Sequence, residues 1–180
     1  EGASIKQAKE ALRMAIKRLQ PSDSFNVITF NSQAYRFFDK AKDASLENKK
    51  DALDFVDELD ADGGTEMEEA LHLALDTMNN HQKIRQVVFL TDGCVGNEQE
   101  LFRIISRRLG DSRLFTIGIG SAPNSYFMRD AARSGRGTYT YIGDTREVRA
   151  KMHELFRKLE NPALTDIIVS FPTDLETVQY

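Results

Sequence analysis

Gln86-Val87-Val88-Phe89-Leu90-Thr91-Asp92-Gly93 runs from an unbroken apolar segment straight into a hydroxyl, a carboxylate and a glycine. An apolar run of this length without alternation is expected of a strand buried on both faces, as in a parallel sheet. Ligands of open parallel sheets bind beyond the carboxyl ends of the strands. Thr91-Asp92-Gly93 therefore falls where chemistry collects, provided the neighbouring segments build such a sheet.

They have the required pattern. Downstream, a helix is expected over Glu98–Leu109, a strand over Leu114–Ile119, a short helix over Tyr126–Arg133, a strand over Thr138–Ile142 and a helix over Thr145–Leu159, stopped by Asn161-Pro162. Upstream, Ser4–Leu19 carries Ile5, Ala8, Leu12, Ala15, Ile16 and Leu19 at helical spacing. A buried strand follows at Phe25–Phe30, then an Asn31-Ser32 turn and a short antiparallel edge strand at Ala34–Phe38. Helices are expected at Leu46–Leu59 and Met67–Met78, separated by the turn cluster Asp60-Ala61-Asp62-Gly63-Gly64-Thr65. A last strand is expected at Asp166–Phe171, before Pro172. Strands alternating with helices imply an α/β fold: a doubly wound, mostly parallel sheet with helices on both faces.

Composition narrows the function classes. The 180 residues fit one domain, and 41 % hydrophobic with 29 % charged residues is ordinary globular chemistry. A formal net charge of −4 leaves no footprint for nucleic acid. Arg103, Arg107 and Arg108 read as a solvated helix face. No run reaches the roughly 18–20 apolar residues that a membrane span needs. One cysteine, Cys94, excludes an internal disulfide framework.

Two loops are expected at the carboxyl end of the sheet, Gly63-Gly64-Thr65-Glu66 and Thr91-Asp92-Gly93. Glycines let backbone approach a ligand, and a hydroxyl with a carboxylate gives hard oxygen donors suited to magnesium or manganese. Each loop also has a plain structural reading: Thr65 as the cap of the next helix, Asp92-Gly93 as a turn. Their occurrence together favours a site. The candidates are Thr65 and Asp92 toward a metal, with Gly64, Glu66 and Gly93 toward a ligand.

Gly63-Gly64-Thr65, Val87-Val88-Phe89-Leu90-Thr91-Asp92-Gly93 and Phe115-Thr116-Ile117-Gly118-Ile119-Gly120 resemble, in that order, von Willebrand factor type A domains. Thr91-Asp92-Gly93 with Val95-Gly96-Asn97-Glu98, and Gly135-Arg136-Gly137-Thr138-Tyr139-Thr140-Tyr141-Ile142-Gly143, are similar to bacterial relatives of inter-alpha-trypsin inhibitor heavy chains. The resemblance implies a non-enzymatic protein-interaction or adhesion module outside the cell, at its surface or in the periplasm. It also implies a divalent cation (Mg2+, or Mn2+ or Ca2+) held by three loops, the metal-ion-dependent adhesion site. A protein ligand completes the coordination with an exposed carboxylate. Thr65 matches the family's second loop and Asp92 its third. The first loop, Asp-x-Ser-x-Ser after the central strand, is not among these 180 residues, so cation binding is expected to be weak or absent. Ser4 reads as a helix cap, not as one of those serines.

The resemblance further implies strand order 3-2-1-4-5-6, in which the unmatched first strand is central. Two unpaired interior edges would cost roughly 1–3 kcal/mol for each buried unpaired group, against about 5–15 kcal/mol for a whole domain. The expected organisation is therefore a domain at 1–162 and a tail at 163–180 whose Ile167–Phe171 enters the central position, within one chain or by exchange in a homodimer.

Other candidates are weaker. Cys94 would need a histidine partner to act as a nucleophile, and His72, His81 and His153 sit on expected helices without metal spacing. Asp60 and Asp62 do not fit a calcium loop. Tyr139 and Tyr141 read as packing residues. A magnesium-dependent phosphohydrolase would need a clustered aspartate nucleophile or a P-loop, and neither is present. A structural scaffold without a working metal site is the remaining alternative.

Overall fold

The computed structural model describes residues 2–60, 63–76, 83–92, 96–120 and 123–160. Its centre is a parallel sheet of three strands, β5 (Gln86–Thr91), β6 (Arg113–Ile119) and β7 (Tyr139–Ile142), in that order. Val87 lies opposite Leu114, Leu90 opposite Ile117, and Ile117 opposite Thr140.

Helices cover both faces. Helices α3 (Met67–Ala74), α4 (Glu98–Arg108) and α5 (Ser125–Ser134) bury Leu71, Leu101, Ile105, Phe127 and Met128 against Phe89 and Leu114. On the other face, α1 (Gly2–Arg18) and α6 (Val148–Leu159) bury Ala11, Met152, Leu155 and Phe156 against Phe115, Ile117, Ile119 and Ile142. β6 shows how one strand serves both layers. Leu114 points to one cluster and Phe115, Ile117 and Ile119 to the other, as the period of two requires. Thr116 faces α5, and its buried hydroxyl donates to the Met128 carbonyl at 2.7 Å.

A second unit packs beside the end of α1. Strand β2 (Ile28–Phe30) pairs antiparallel with β3 (Ala34–Arg36), and β1 (Ser24–Phe25) with β4 (Lys42–Asp43). With α2 (Leu46–Glu58) they close a third cluster containing Ile16, Phe25, Val27, Phe38, Ala52 and Val56.

Four expectations are corrected. The segment 25–30 is two strands, because Asn26 interrupts the ladder: its Oδ1 accepts from the Val27 and Phe38 amides at 2.9 and 3.0 Å, and its Nδ2 donates to the Phe38 carbonyl at 2.7 Å. β4 was not anticipated, since Lys42 and Asp43 are both exposed and leave no apolar alternation. The last helix starts later, after a 3-10 turn at Thr145–Glu147 whose cap Asp144 accepts from the Arg146 amide. Ser4 lies inside the first turn of α1 and is not its cap. Gly93, Cys94, His81, Asp62, the expected end of α3 at Met78, and the tail strand at Asp166–Phe171 lie outside the described residues.

Candidate metal and ligand-binding site

Thr65 and Asp92 are both exposed, on the loops leading into α3 and out of β5. The first loop is tied to the β2–β3 turn. The Glu66 amide donates to the Asn31 carbonyl at 2.7 Å and the Gly64 amide to Ser32 Oγ at 3.1 Å. Gly63 takes φ +87°, and a Cβ there would lie 3.0 Å from Ser32 Oγ, so the loop is pressed onto that turn. Thr65 is not the cap of α3. Glu66 holds that position, and no side chain caps the helix. The Thr65 hydroxyl thus has no partner among the described residues.

The second loop is anchored through its neighbours. Beyond Asp92, Asn97 Nδ2 donates to Glu68 Oε2 of α3 at 3.4 Å, which joins the segment before α4 to the helix that Thr65 precedes. Asn124 caps α5 by accepting from the Phe127 amide, and its Nδ2 donates to Glu98 Oε1 at 2.5 Å. Gly120 stands between Asp92 and the start of α1. A Cβ on Gly120, at the end of β6, would lie 3.8 Å from Asp92 Cβ and 2.8 Å from Ser4 Oγ. Ser4, Asp92 and Gly120 therefore pack together at the carboxyl end of the sheet. Asn31 and Ser32 were read only as a turn and Asn97 only within a motif, and Asn124 was not singled out. Their signal there is only that of ordinary turn and cap residues.

Other candidates are placed plainly. Tyr139 OH lies 2.9 Å from Ser125 Oγ, and Tyr141 OH donates to the Gly120 carbonyl at 2.9 Å, so both rings hold loops in position. His72 is 3.9 Å from Glu68, and His153 Nδ1 lies 3.2 Å from Arg18 Nη1. Arg103, Arg107 and Arg108 are exposed, Arg103 paired with Glu100.

A threonine hydroxyl and an aspartate carboxylate fit a hard cation in kind. With only two protein oxygens, most positions of a near-octahedral magnesium would be left to water or to a partner's oxygens. Among the described residues no group of three or more His, Cys, Asp or Glu side chains is placed to hold a metal ion. None of the described helices is long and apolar enough to cross a membrane.

An open α/β sheet with a Gly-Gly-Thr and a Thr-Asp loop at the carboxyl ends of its strands defines a class of module that presents ligand contacts from loops. The von Willebrand factor type A domain model matches residues 1–141, and the chain belongs to that family, whose members are protein-interaction modules. It is 30 % identical over 179 residues to a von Willebrand factor A domain-containing protein of Dictyostelium discoideum, covering 99 % of this chain and 20 % of that protein. It is 27 % identical over 186 residues to human inter-alpha-trypsin inhibitor heavy chain H4, covering 96 % of this chain and 20 % of that protein. The chain thus spans about a fifth of the length of these relatives. Its fold matches that of a von Willebrand factor type A structure from Catenulispora acidiphila with a TM-score of 0.73 and 26 % identity, covering 83 % of this chain and 37 % of that one.

Proposed function

We propose that this chain is a non-enzymatic protein-binding module whose contact surface is the carboxyl end of its parallel sheet, in a protein acting outside the cell or at its surface. Thr65 and Asp92 are its metal-facing oxygens. Gly64, Glu66 and Gly93 flank them toward a partner that offers a carboxylate. The observation that carries this reading is the exposure of both residues on two loops knit to one helix, with no partner for the Thr65 hydroxyl among the described residues.

Two protein oxygens hold magnesium weakly, because the ion gives up its waters reluctantly. Calorimetric titration with magnesium or manganese chloride should therefore give a dissociation constant no tighter than millimolar. The double variant Thr65→Ala, Asp92→Ala should abolish the remaining heat. A micromolar constant would contradict a site of these two oxygens alone, and an unchanged titration in the double variant would contradict the site. A second reading, a scaffold without a working metal site, is favoured by the described residues, among which no group of three or more His, Cys, Asp or Glu side chains is placed to hold a metal ion, and a flat titration would establish it. A phosphatase screen with magnesium is expected to show no turnover.

A further inference from the structure

The amino ends of the three parallel strands carry an arginine each, and the three are linked. Arg85 precedes β5, Arg113 opens β6 and Arg136 lies in the turn before β7. The Arg113 amide donates to the Arg85 carbonyl at 2.9 Å, and Arg113 Nε donates to the Arg136 carbonyl at 3.1 Å. Arg85 Nε donates to Ser112 Oγ at 2.7 Å, and Arg136 Nη2 to the Ser112 carbonyl at 2.8 Å. Two guanidiniums thus meet at one buried serine, while the third lies over the Phe115 ring, 5.3 Å from its centre.

These charges are held by neutral groups. Arg136 also donates to the Gly110 carbonyl, and Arg85 Nη1 to the Asp76 carbonyl at 2.6 Å. Among the described residues neither Arg113 nor Arg136 has a carboxylate partner. Arg85 feels the Asp76 carboxylate, which is bonded to Arg36 at 2.9 Å, but burial lowers the Arg85 pKa more than Asp76 raises it. Carbonyl oxygens orient a guanidinium without neutralising it, and Arg113 spends only its Nε in this way. Arg107 and Arg108 end α4 and Arg133 ends α5 beside the same turns, all exposed. Against them the α4–β6 turn itself offers Asp111.

Arg136 stands in an unfavourable backbone. Its φ is +56°, a left-handed conformation that glycine or asparagine adopts more readily. Gly135 and Gly137 are demanded by space, since a Cβ on them would lie 2.3 and 2.1 Å from atoms of Leu114. At position 136 the backbone gives no reason for arginine, so the reason lies in the side chain. Bonding the Gly110 and Ser112 carbonyls is one such reason. It does not account for the uncompensated Arg85 and Arg113 beside it.

We propose that this arginine edge, opposite the Thr65 and Asp92 end, is a second protein-contact surface that takes an extended, carboxylate-rich segment of a partner protein. Guanidinium forks match carboxylates two bonds at a time. The three arginines are strung across neighbouring strands, which lie about 4.8 Å apart. A row of carboxylates fits that spread better than one small anion does. The formal net charge of −4 repels an acidic segment elsewhere and leaves this edge to attract it. The proposal is independent of whether Thr65 and Asp92 bind a cation.

Fluorescence anisotropy of a labelled octaglutamate peptide, titrated with the natural chain at low ionic strength, tests it. Binding should weaken as sodium chloride rises toward about 0.15 M, where exposed charges are screened beyond about 8 Å. Arg113→Gln and Arg136→Gln should each raise Kd by about two- to fivefold, and together by more than either alone. Arg149→Gln, an exposed arginine in the first turn of α6, is the control for net charge and should change Kd less than either. Arg136→Asn tolerates the left-handed backbone, so it replaces Arg136→Gln if circular dichroism shows that variant unfolded. A peptide that does not bind, or a Kd indifferent to the Arg113 and Arg136 substitutions, overturns the proposal. So does displacement by inorganic pyrophosphate at concentrations as low as those of unlabelled peptide, the mark of a small-anion site. A lowered melting midpoint with unchanged Kd would make Arg136 a turn staple and overturn it as well.

Discussion

Gly137→Ala isolates a steric effect that the sequence hides. Gly137 lies in the turn between α5 and β7, where a Cβ would stand 2.1 Å from the Leu114 carbonyl oxygen, 2.7 Å from its carbon and 3.2 Å from Phe115 Cδ1. Real Cβ atoms essentially never come within 3.0 Å of such neighbours. The obstacle is backbone, and it is held: Leu114 is paired with Val87 across the ladder, and its amide donates to the Gly135 carbonyl at 2.8 Å. Gly137 is held too, its amide donating to the Ala132 carbonyl at 2.9 Å. Its φ is not positive, so the added methyl brings crowding without backbone strain. Ordinary overpacking costs about 1–3 kcal/mol, and a clash against fixed backbone belongs at the upper end, about 3 kcal/mol. At about 2–4 °C per kcal/mol for a chain of this size, the melting midpoint should fall by about 6–12 °C.

Gly96→Ala is the matched control. A Cβ there meets nothing within 4 Å, and the midpoint should move by less than about 1 °C. Thermal unfolding followed by circular dichroism reads both variants. A Gly137→Ala midpoint indistinguishable from that of Gly96→Ala would refute the reasoning, because it would mean the turn yields by an ångström at no cost.

Further outcomes rest on local contacts. Ser45 caps α2, its hydroxyl accepting from the Asn48 amide at 3.2 Å, so Ser45→Ala should cost about 1 kcal/mol in denaturant unfolding, with the slope unchanged. The Arg18 guanidinium holds the Glu160 carboxyl below its usual range. A carboxyl depressed in the folded state stabilises above its unfolded pKa, near 4.3, and loses that contribution as pH falls through the lower folded value. The melting-point gap between the natural chain and Glu160→Gln should therefore be present at pH 7 and close below pH 4. A gap that widens on acidification would reverse the sign.

The parallel sheet was legible because burial on both faces writes itself as an unbroken apolar run, as in Val87–Leu90 and Leu114–Ile117. The first helix was legible from the spacing of residues such as Ala8, Leu12 and Ile16, which pack on the core. Elements made by side-chain substitution for backbone were not legible. Asn26 breaks a strand by bonding across the hairpin to Phe38, and nothing in Phe25–Phe30 taken alone marks that break. The site divides in the same way. Thr65 and Asp92 could be picked out by donor type and loop position. The Asn31, Ser32 and Asn97 contacts that fix those loops join residues about thirty positions apart, and bonds at such separations have no period to detect.

What fixes Asp92 is the meeting of three elements at Gly120, and this gives a direct test of whether the site end is built rigidly. Gly120 takes φ +79°, its amide donates to the Ile142 carbonyl at 3.0 Å, and its own carbonyl accepts from Tyr141 OH. It cannot easily move away from Ser4 Oγ, 2.8 Å from where a Cβ would stand. Gly120→Ala therefore carries two separable penalties. One is the left-handed backbone, about 1–2 kcal/mol. The other is the collision with Ser4, about 1–3 kcal/mol. Ser4→Ala removes Oγ and should relieve only the second. In a double-mutant cycle read by denaturant unfolding, Ser4→Ala with Gly120→Ala should therefore be more stable than the sum of the single effects by about 1 kcal/mol or more. Additivity would mean that α1 does not press on this corner. The position of Asp92 would then be set by β5 alone.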